Sequence, residues 1–475
     1  MLTRRNFLSA AVRLSAGVAM FPAINGLADL STSIVVRPQG SRPVASVPAN
    51  FMGLGYEMSS AARLGLLSTR NRPYRQLLGN LGPRGVLRFG GIVSSFTRYD
   101  ANGVVAAEAK NTVITRASLE QLREFLDATG WTAIWSLNFG RGNLNDAVIE
   151  ARDVATVLES RLEAIELGNE VEEYGSGKAP LRRRGYSYED YRAEYATWHA
   201  ALVQAVPGLR FAAPDTASSV EWVERMAADA HGEVQLLTTH YYRGGQQQGS
   251  LDQLMNPDSA LKSKLERLTQ AARQSGIPWR MCETNSFFGG GRPGVSDTFA
   301  GALWTLDYML LLAQSGCSGV NMETGLNQLG FVSCYSPIQD DGKGHNTAGM
   351  PYYGMLAFAA ATSQTPEMFP VEYDARGVNL AMYVLGIHGR ARTLVVVNRD
   401  SARDAHIAFA ALEMRDTKAL RLVAPALDSS TSARFAGSAV DPAGHWGPTD
   451  TEEVRDGHVF VPHSSAIVLR SKGPK

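Results

Sequence analysis

The chain has 475 residues, and its 46 Lys and Arg balance its 46 Asp and Glu, so the formal net charge is zero. A neutral chain has no long-range field that would draw it to nucleic acid or to an anionic membrane, so any charged ligand must be recognised locally. Its length predicts one large and one smaller domain, and its 44% hydrophobic content argues against disorder. Its three cysteines are too few for a disulfide framework and are predicted to be free thiols.

The first 28 residues have the pattern of a targeting segment. Arg4 and Arg5 precede an apolar run, and small residues follow at 26–28. This predicts an export signal, and TRRNFL resembles the twin-arginine address, so the mature protein is expected in the periplasm or outside the cell. An amphipathic N-terminal helix or a membrane anchor is the alternative. No later segment approaches the roughly 18 apolar residues of a spanning helix, so no membrane contact is expected once the signal is removed.

Residues 49–358 alternate short apolar runs with longer segments of helical period, such as ASLEQLREFLDATG. This alternation is typical of βα units around a parallel sheet. Eight runs predict an α/β fold, specifically a (β/α)8 TIM barrel. The runs are FMGLGYE from Phe51, GVLRFGG from Gly85, WTAIWSLN from Trp131, LEAIELGNE from Leu162, LRFAAPD from Leu209, VQLLTTHYY from Val234, IPWRMCE from Ile277 and SGVNMET from Ser318.

The pattern changes in residues 359–475, where short alternating segments such as VNLAMYVLGI and ARTLVVVNRD are separated by turn residues. It predicts a C-terminal antiparallel β-sandwich domain. Residues 29–48, which contain SIVVRPQG, are predicted to supply an N-terminal strand to that sandwich.

Two acidic residues, Glu170 and Glu283, are predicted at the end of the barrel that carries catalytic groups. Asn169 and Glu170 end the fourth run and Glu283 ends the seventh, and catalytic groups of such barrels project from the C-terminal ends of strands. A pair of carboxyl groups can hydrolyse a glycosidic bond, and a spacing of roughly 5–5.5 Å gives retention, with Glu283 as nucleophile and Glu170 as acid. The alternative is that both are rim glutamates in surface ion pairs.

Longer motifs make the prediction more specific. The chain resembles glycoside hydrolase family 79 of clan A, the β-glucuronidases and heparanases, over nearly the whole mature length, and most of all the bacterial β-glucuronidases. Besides the two glutamates with their flanks, the resemblance is carried by FMGLGYEMSS, THYYR, CETNSFFGGGRPGVSDTF, GVNMETGLNQLGF and SCYSPI. It implies that Glu170 is the acid/base and Glu283 the nucleophile.

The resemblance also implies binding roles around the two acids. Asn169 would hydrogen-bond the sugar 2-hydroxyl, Tyr242 would orient Glu283, and Glu57 would accept from the distal hydroxyls. Each has a plainer alternative, since a tyrosine can line a core and Glu57 can pair with an arginine.

A neutral protein that binds a uronic acid needs local anion recognition. The resemblance assigns this to the backbone amides near Gly289 and Gly290 and to the hydroxyl of Tyr335, because adjacent amides without side chains can approach an anion closely. Without its position after Glu283, the glycine run would be read as a flexible loop. Arg88 is predicted to support Glu283 electrostatically.

Some residues depart from the family pattern or are not expected to catalyse. In the family a polar residue often follows the double glycine of the second strand and contacts the sugar, but here Ile92 follows Gly91. We expect that contact to be lost or to be made by Ser94 or Ser95 instead. Other acidic residues and a histidine are expected to have supporting or no roles: Glu172 and Glu173 in a solvated loop, Glu323 bracing the pocket, and His240 in the pocket wall.

The sequence contains no zinc-spaced Cys or His motif and no nucleotide-binding glycine motif, so no metal and no cofactor are expected. The predicted function is a retaining exo-β-glucuronidase that acts as a monomer on terminal β-linked glucuronic acid, with or without a 4-O-methyl group. An endo-β-glucuronidase of heparanase type acting on heparan sulfate is one alternative. A catalytically silent carbohydrate-binding protein is the other.

Overall fold

The structure, a computed structural model, describes residues 33–325, 333–341 and 343–471. The predicted export signal over residues 1–28 lies outside the described residues. Within those ranges, no helix combines the length and the apolar character that crossing a bilayer requires. The three cysteines are buried free thiols, as predicted.

Eight parallel strands close into a barrel in chain order, which confirms the predicted (β/α)8 fold. Each strand pairs with the next, and the last pairs with the first through Met322 opposite Leu54. The strands are β1 (Gly53–Glu57), β2 (Val86–Gly90), β3 (Thr132–Leu137), β4 (Leu162–Leu167), β5 (Phe211–Thr216), β6 (Leu236–Gly245), β7 (Trp279–Phe288) and β8 (Val320–Glu323).

Helices connect the strands on the outside of the barrel, and polar residues begin several of them. Thr115 and Ser118 form a capping box at one start, and Ser187 and Asp190 form another, because each side chain accepts a backbone N–H that the first helical turn leaves unpaired. The α-helices are Ser59–Ala62, Arg72–Leu81, Arg116–Thr129, Leu144–Leu158, Tyr188–Ala205, Val220–Asp229, Leu251–Met255, Ser259–Ser275, Phe299–Gln314 and Met350–Thr362.

Two small sheets are inserted at the C-terminal end of the barrel. Three short strands follow β2, at Thr97–Tyr99, Ala106–Glu108 and Asn111–Ile114. A hairpin of Ile338–Asp340 and Asn346–Ala348 follows β8. This hairpin is anchored to the loop after β1 by an ion pair from Arg63 to Asp340 and by a hydrogen bond from Asn71 to Asn346.

Residues after the barrel form sheets that also include the N-terminal segment. Ala45–Ser46 pairs with Glu367–Phe369 at the edge of the large sheet, and Ile34–Val35 pairs in parallel with Ala405–Ala408 in a three-stranded sheet completed by His458–Val461. Arg37–Pro38 pairs with Val371–Glu372. The remaining strands of the large sheet are Leu380–Ile387, Arg390–Asn398, Thr417–Val423, Arg434–Phe435, Glu452–Val454 and Ser465–Ser471.

The large sheet is buried on both faces. On the strand Leu380–Ile387, Met382 and Val384 belong to a separate apolar core between the two sheets, whereas Tyr383 and Leu385 join the core of the barrel. This follows from the alternation of side chains along a strand. The Tyr383 hydroxyl also donates to Asp307 on the helix Phe299–Gln314.

Candidate active site

Glu170 and Glu283 meet at the C-terminal mouth of the barrel. A carboxylate oxygen of each lies within 4.8 Å of the other, with His240 completing the group. The Glu170 side chain is 28% exposed and that of Glu283 is 12% exposed, so Glu170 is the more open to solvent. The two side chains therefore face one gap rather than separate surfaces.

Glu170 sits on a tightly held turn. Gly168 has a φ of 97° and Glu170 a φ of 52°, both in the left-handed region. The Glu170 amide donates to the Asp215 carbonyl oxygen at 2.8 Å, which ties the end of β4 to β5. Glu172 was expected in a solvated loop, and this is wrong. Its carboxylate accepts from the backbone amides of Ser218 and Ser219, because these begin a helix whose first N–H groups need partners.

Glu283 does not end its strand, contrary to the sequence prediction. It lies in the middle of β7 and pairs with His240 of β6, and the two strands continue in register to Gly245 opposite Phe288. The apolar run ends at Glu283 because Thr284, Asn285 and Ser286 follow it, while the strand stays buried and its backbone pairing persists. A rigid strand, not a loop, thus carries the predicted nucleophile.

Arg88 on β2 is the centre of the polar network under the two acids. Its side chain is fully buried, yet every nitrogen has an oxygen partner. The bonds run from Nε to Glu166 Oε2 at 3.0 Å, from Nη1 to Glu283 Oε2 at 2.8 Å, and from Nη2 to Asn169 Oδ1 at 2.8 Å and Asp215 Oδ2 at 2.5 Å. The support of Glu283 by Arg88 that the sequence predicted is present as a direct bond.

His240 is a second buried cation beside the acids. Its Nδ1 lies 3.3 Å from Glu170 Oε1 and 3.9 Å from Glu283 Oε1, and its Nε2 lies 3.0 Å from Asp215 Oδ1. The contact between His240 Nε2 and Asp215 Oδ1 is an ion pair whose atoms are not aligned for a hydrogen bond. Burial lowers the His240 pKa, but the charges of Asp215 and Glu283 outweigh it, so the pKa lies well above its ordinary value. The surroundings of His240 therefore favour its imidazolium form, and the residue lies against the two acids rather than in the cavity lining.

Two further carboxyl groups complete the network, and the sequence did not single them out. Burial raises the pKa of Asp215, and the charges of Arg88 and His240 more than offset this, so the pKa is lowered. Burial and the Asp215 charge raise the pKa of Glu166 to about 7. The position of Asp215 at the end of LRFAAPD was the only signal, and Glu166 looked like one polar residue within a strand.

Tyr242 has the contact expected of a residue that orients Glu283, and Asn169 is held in place by Arg88. The Tyr242 hydroxyl donates to Glu283 Oε1 at 3.0 Å. The Tyr242 ring centroid lies 6.3 Å from that of Tyr335 and 6.3 Å from that of Phe288. Asn169 is buried and its amide oxygen accepts from Arg88, so its amide nitrogen is left as the group that can donate to a ligand.

Glu57 is the last residue of β1 and lines the same cavity as Glu170. It is 7% exposed and accepts from the Val93 amide at 2.8 Å. Gly91 makes this possible, because a Cβ at that position would lie 2.2 Å from Glu57 Oε2. Burial and the Glu283 charge raise the pKa of Glu57 to about 8, so at neutral pH this group is largely a neutral acid that can donate as well as accept.

The glycine run after β7 has a backbone conformation that favours glycine. Gly289, Gly290 and Gly291 all have φ between 87° and 91°, which side chains rarely tolerate. The Gly291 amide donates to the Phe287 carbonyl, and the Tyr335 amide contacts the Gly290 carbonyl at 3.4 Å. The loop and Tyr335 are therefore neighbours, as their predicted joint role requires.

One cavity is lined by six of the predicted site residues, Glu57, Glu170, Tyr242, Glu283, Gly289 and Tyr335, whereas Asn169 and Gly290 are not in its lining. Ser94 and Ser95 do not line it, and the Ser94 hydroxyl donates to the Gly91 carbonyl, while Ile92 faces the cavity instead. Among lining residues that the structure describes, those with charge are all acidic. The lining consists of Glu57, Ile92, Glu170, Glu173, Ala217, Ser218, Tyr242, Glu283, Phe288, Gly289, Glu323, Gly325, Ser333 and Tyr335.

Among the residues that the structure describes, two sets of side chains are close enough to hold a metal ion. They are Glu166 with Asp215 and Cys282, and Glu170 with His240 and Glu283. Arg88 and His240 already occupy these carboxylates, so a divalent cation would face two fixed positive charges. The donor sets fit protein cations better than a metal.

Comparisons with known proteins find two similar β-glucuronidases. No protein-family model matches the chain. A β-glucuronidase of Aspergillus niger is 28% identical over 340 residues, which is 62% of this chain and 61% of that protein. A β-glucuronidase of Neurospora crassa is 30% identical over 168 residues, 34% of this chain and 29% of that protein. The chain thus matches about three fifths of the first relative and less of the second.

Solved structures share the whole fold at low identity. A 4-O-α-L-rhamnosyl-β-D-glucuronidase of Fusarium oxysporum has a TM-score of 0.75 at 19% identity and covers 92% of this chain and 99% of that one. An α-L-arabinofuranosidase of Thermotoga maritima has a TM-score of 0.64 at 13% identity, covering 92% and 99%. These likenesses establish the fold.

Proposed function

We propose that this protein is a glycoside hydrolase, specifically a retaining exo-β-glucuronidase that releases terminal β-linked glucuronic acid, with or without a 4-O-methyl group. The observation that carries the proposal is the approach of Glu170 and Glu283 to within 4.8 Å between carboxylate oxygens. Retaining glycosidases hold their carboxyl groups about 5–5.5 Å apart, whereas inverting enzymes need about 6.5–9.5 Å to admit a water. The names of the two relatives support the substrate class.

The proposed reaction has two displacements. Glu283 attacks the anomeric carbon while Glu170 donates its proton to the leaving oxygen, so the glycosidic bond breaks and a glycosyl ester forms. Glu170 then takes a proton from water, whose oxygen attacks the same carbon and releases Glu283. Arg88 and Tyr242 fix the Glu283 carboxylate for both steps, because each bonds a different oxygen.

Exo action is supported by the wall on the glycone side. Gly325, Ser333 and Tyr335 line the cavity, and the hairpin that follows them is tied to the loop after β1 through Arg63 and Asp340. A wall there would stop a polysaccharide from passing through. Gly289, Gly290 and Tyr335 would bind the uronate, and Asn169 and Glu57 the hydroxyls. We also propose that the mature protein works as an exported monomer, without a cofactor.

The two alternatives are less well supported. A heparan sulfate chain is polyanionic, and the charged lining residues that the structure describes are acidic, which opposes an endo-acting heparanase. A silent binding protein would have no use for two acids held by a buried arginine and histidine at the cost of desolvation.

The nucleophile assignment is tested by replacing Glu283 with alanine. The variant is expected to lose all measurable turnover of an aryl β-D-glucuronide, and azide should restore turnover as a glycosyl azide of inverted configuration. Product configuration is read by NMR. Wild-type enzyme tested on the same substrate gives the direct test of the substrate class, and lack of turnover there would refute the proposed function.

The acid assignment is tested with a leaving-group series. Glu170→Ala should slow glucuronides with poor leaving groups about 10²–10⁴-fold and spare those with good ones, since only poor ones need protonation. Equal losses across the series would contradict the role of Glu170.

A further inference from the structure

Glu323 is a buried carboxyl group in the cavity that the mechanism above does not use. It is the last residue of β8, is 5% exposed, and lines the cavity with Tyr242, Glu283 and Tyr335. Asn285 donates to the carbonyl oxygens of both Glu323 and Tyr335, which ties the end of β8 to the tyrosine expected at the uronate. Glu323 is thus beside the predicted carboxylate site.

The two oxygens of Glu323 are in different surroundings. Oε2 is buried without a hydrogen-bond partner among the described residues. It faces the backbone of β1, where a Cβ on Gly55 would lie 2.7 Å from it. Glu323 lines the cavity and its Oε2 is enclosed by protein. Its other oxygen, Oε1, is therefore the one available to a ligand.

The surroundings of Glu323 favour its neutral form. Burial raises its pKa well above the ordinary value, and the charges of Glu283 and Glu57 raise it further, while Arg88 and His240 lower it. An unpartnered buried oxygen is also far less costly on a neutral acid than on a carboxylate. The other ionisable groups that face it are the hydroxyls of Tyr56, Tyr242 and Tyr335.

We propose that Glu323 is a substrate-binding residue that, as a neutral acid, donates a hydrogen bond through Oε1 to the carboxylate of the uronic acid. The proposal rests on the proposed function and deepens it. It would make Glu323 a determinant of uronic acid over the neutral hexose.

The proposal accounts for an otherwise awkward feature of the site. An anionic sugar is expected in a cavity whose charged lining residues are all acidic. Residues 326–332 read LNQLGFV and so contain no lysine or arginine that could assist. A carboxyl group with its proton in place presents a donor to an anion, and a hydrogen bond to a charged acceptor is stronger than one between neutral groups.

The test compares two substitutions of Glu323 on two substrates. Glu323→Gln keeps a neutral donor, and Glu323→Met keeps the approximate volume without one. Both are assayed with 2,4-dinitrophenyl β-D-glucuronide and the matching β-D-glucoside, whose good leaving group makes slow turnover measurable. Glu150→Met is the matched control, because Glu150 is also a buried carboxyl group of the barrel, bonded to Trp135 and outside the cavity lining.

We expect Glu323→Met to raise KM for the glucuronide at least tenfold and to lower the glucuronide-to-glucoside ratio of kcat/KM at least tenfold. Glu323→Gln should stay within about threefold of wild type, and the control should leave the ratio unchanged. Thermal unfolding shows that each variant is folded. An unchanged ratio in Glu323→Met, or an equal loss in Glu323→Gln, would overturn the role while leaving the proposed function intact. No wild-type turnover of the glucuronide would remove both.

Discussion

Two arginines are buried inside the same barrel and do different work. Arg88, near the C-terminal mouth, bonds the side chains of Glu166, Asp215 and Glu283. Arg280, near the opposite end, bonds the Asn321 side chain and backbone carbonyl oxygens. The negative charges around Arg88 outweigh its burial and raise its pKa, whereas burial dominates at Arg280 and lowers its pKa.

The difference shows what a buried charge can be used for. Arg280 is surrounded by neutral dipoles and fits where Gly53 and Gly319 have no side chain, since a Cβ on Gly319 would lie 1.8 Å from its Nη1. It closes the bottom of the barrel. Arg88 is surrounded by groups that titrate and react, so it sets their position and charge. The two positions should therefore separate stability from activity.

The largest effect is expected at Arg88. Arg88→Met removes the partner of the buried Asp215 and of the proposed nucleophile, so kcat/KM on an aryl β-glucuronide should fall on the order of 10³-fold. Steady-state kinetics measure the fall in kcat/KM, and urea unfolding shows whether the variant is folded. If kcat were unchanged in the folded variant, Arg88 would not be the residue that sets the position and charge of the reacting groups.

His240 tests whether the second cation matters separately. His240→Gln keeps a group that can bond Glu170 but removes the positive charge, and kcat should fall about 10²-fold through loss of orientation and charge. Activity against pH, compared with wild type, measures the change. A variant with wild-type kcat and pH profile would mean that Arg88 alone organises the acids.

Arg280→Met is the matched counterpart of the first variant. Several carbonyl groups lose their donor, and the free energy of unfolding should fall by roughly 2–4 kcal/mol. The kcat of the folded protein should stay within about twofold of wild type, because Arg280 is absent from the cavity lining. Loss of kcat as large as that of Arg88→Met would erase the distinction.

The smallest effect concerns Glu150, a buried acid outside the mouth. Burial raises its pKa from 4.5 to about 7, so its contribution to stability is complete below pH 4.5 and is lost as the pH rises through 7. Glu150→Gln should therefore gain about 1–3 kcal/mol relative to wild type between pH 5 and pH 8. Urea unfolding at the two pH values measures this. Glu124→Gln, on the exposed side of a helix, is the control and should show no such gain.

The barrel could be predicted because its strands are apolar runs between amphipathic helices, a signal that does not depend on distant contacts. The positions of Glu170 and Glu283 followed from the same pattern. The extent of β7 did not, because the polar residues Thr284, Asn285 and Ser286 interrupt the apolar run although the strand stays buried and paired with β6.

The charge network could not be read from the sequence. His240 lies on the strand next to that of Asp215, but Arg88 belongs to a strand far away in the chain, and only closure of the barrel brings it to Asp215. Glu172 looked like one of two solvated acids, since the helix start that it caps is more than forty residues away. Spatial partners of this kind have no local signature.

The strand Ser465–Ser471 has a consequence for how the chain folds. It lies in the middle of the large sheet, between Arg390–Asn398 and Thr417–Val423. During synthesis these two strands leave the ribosome before the strand that pairs with both of them. The packing of the sheet on the barrel helices cannot be complete until that strand has been made. Native pairing across the middle of the large sheet therefore depends on a strand that is made after both of its neighbours.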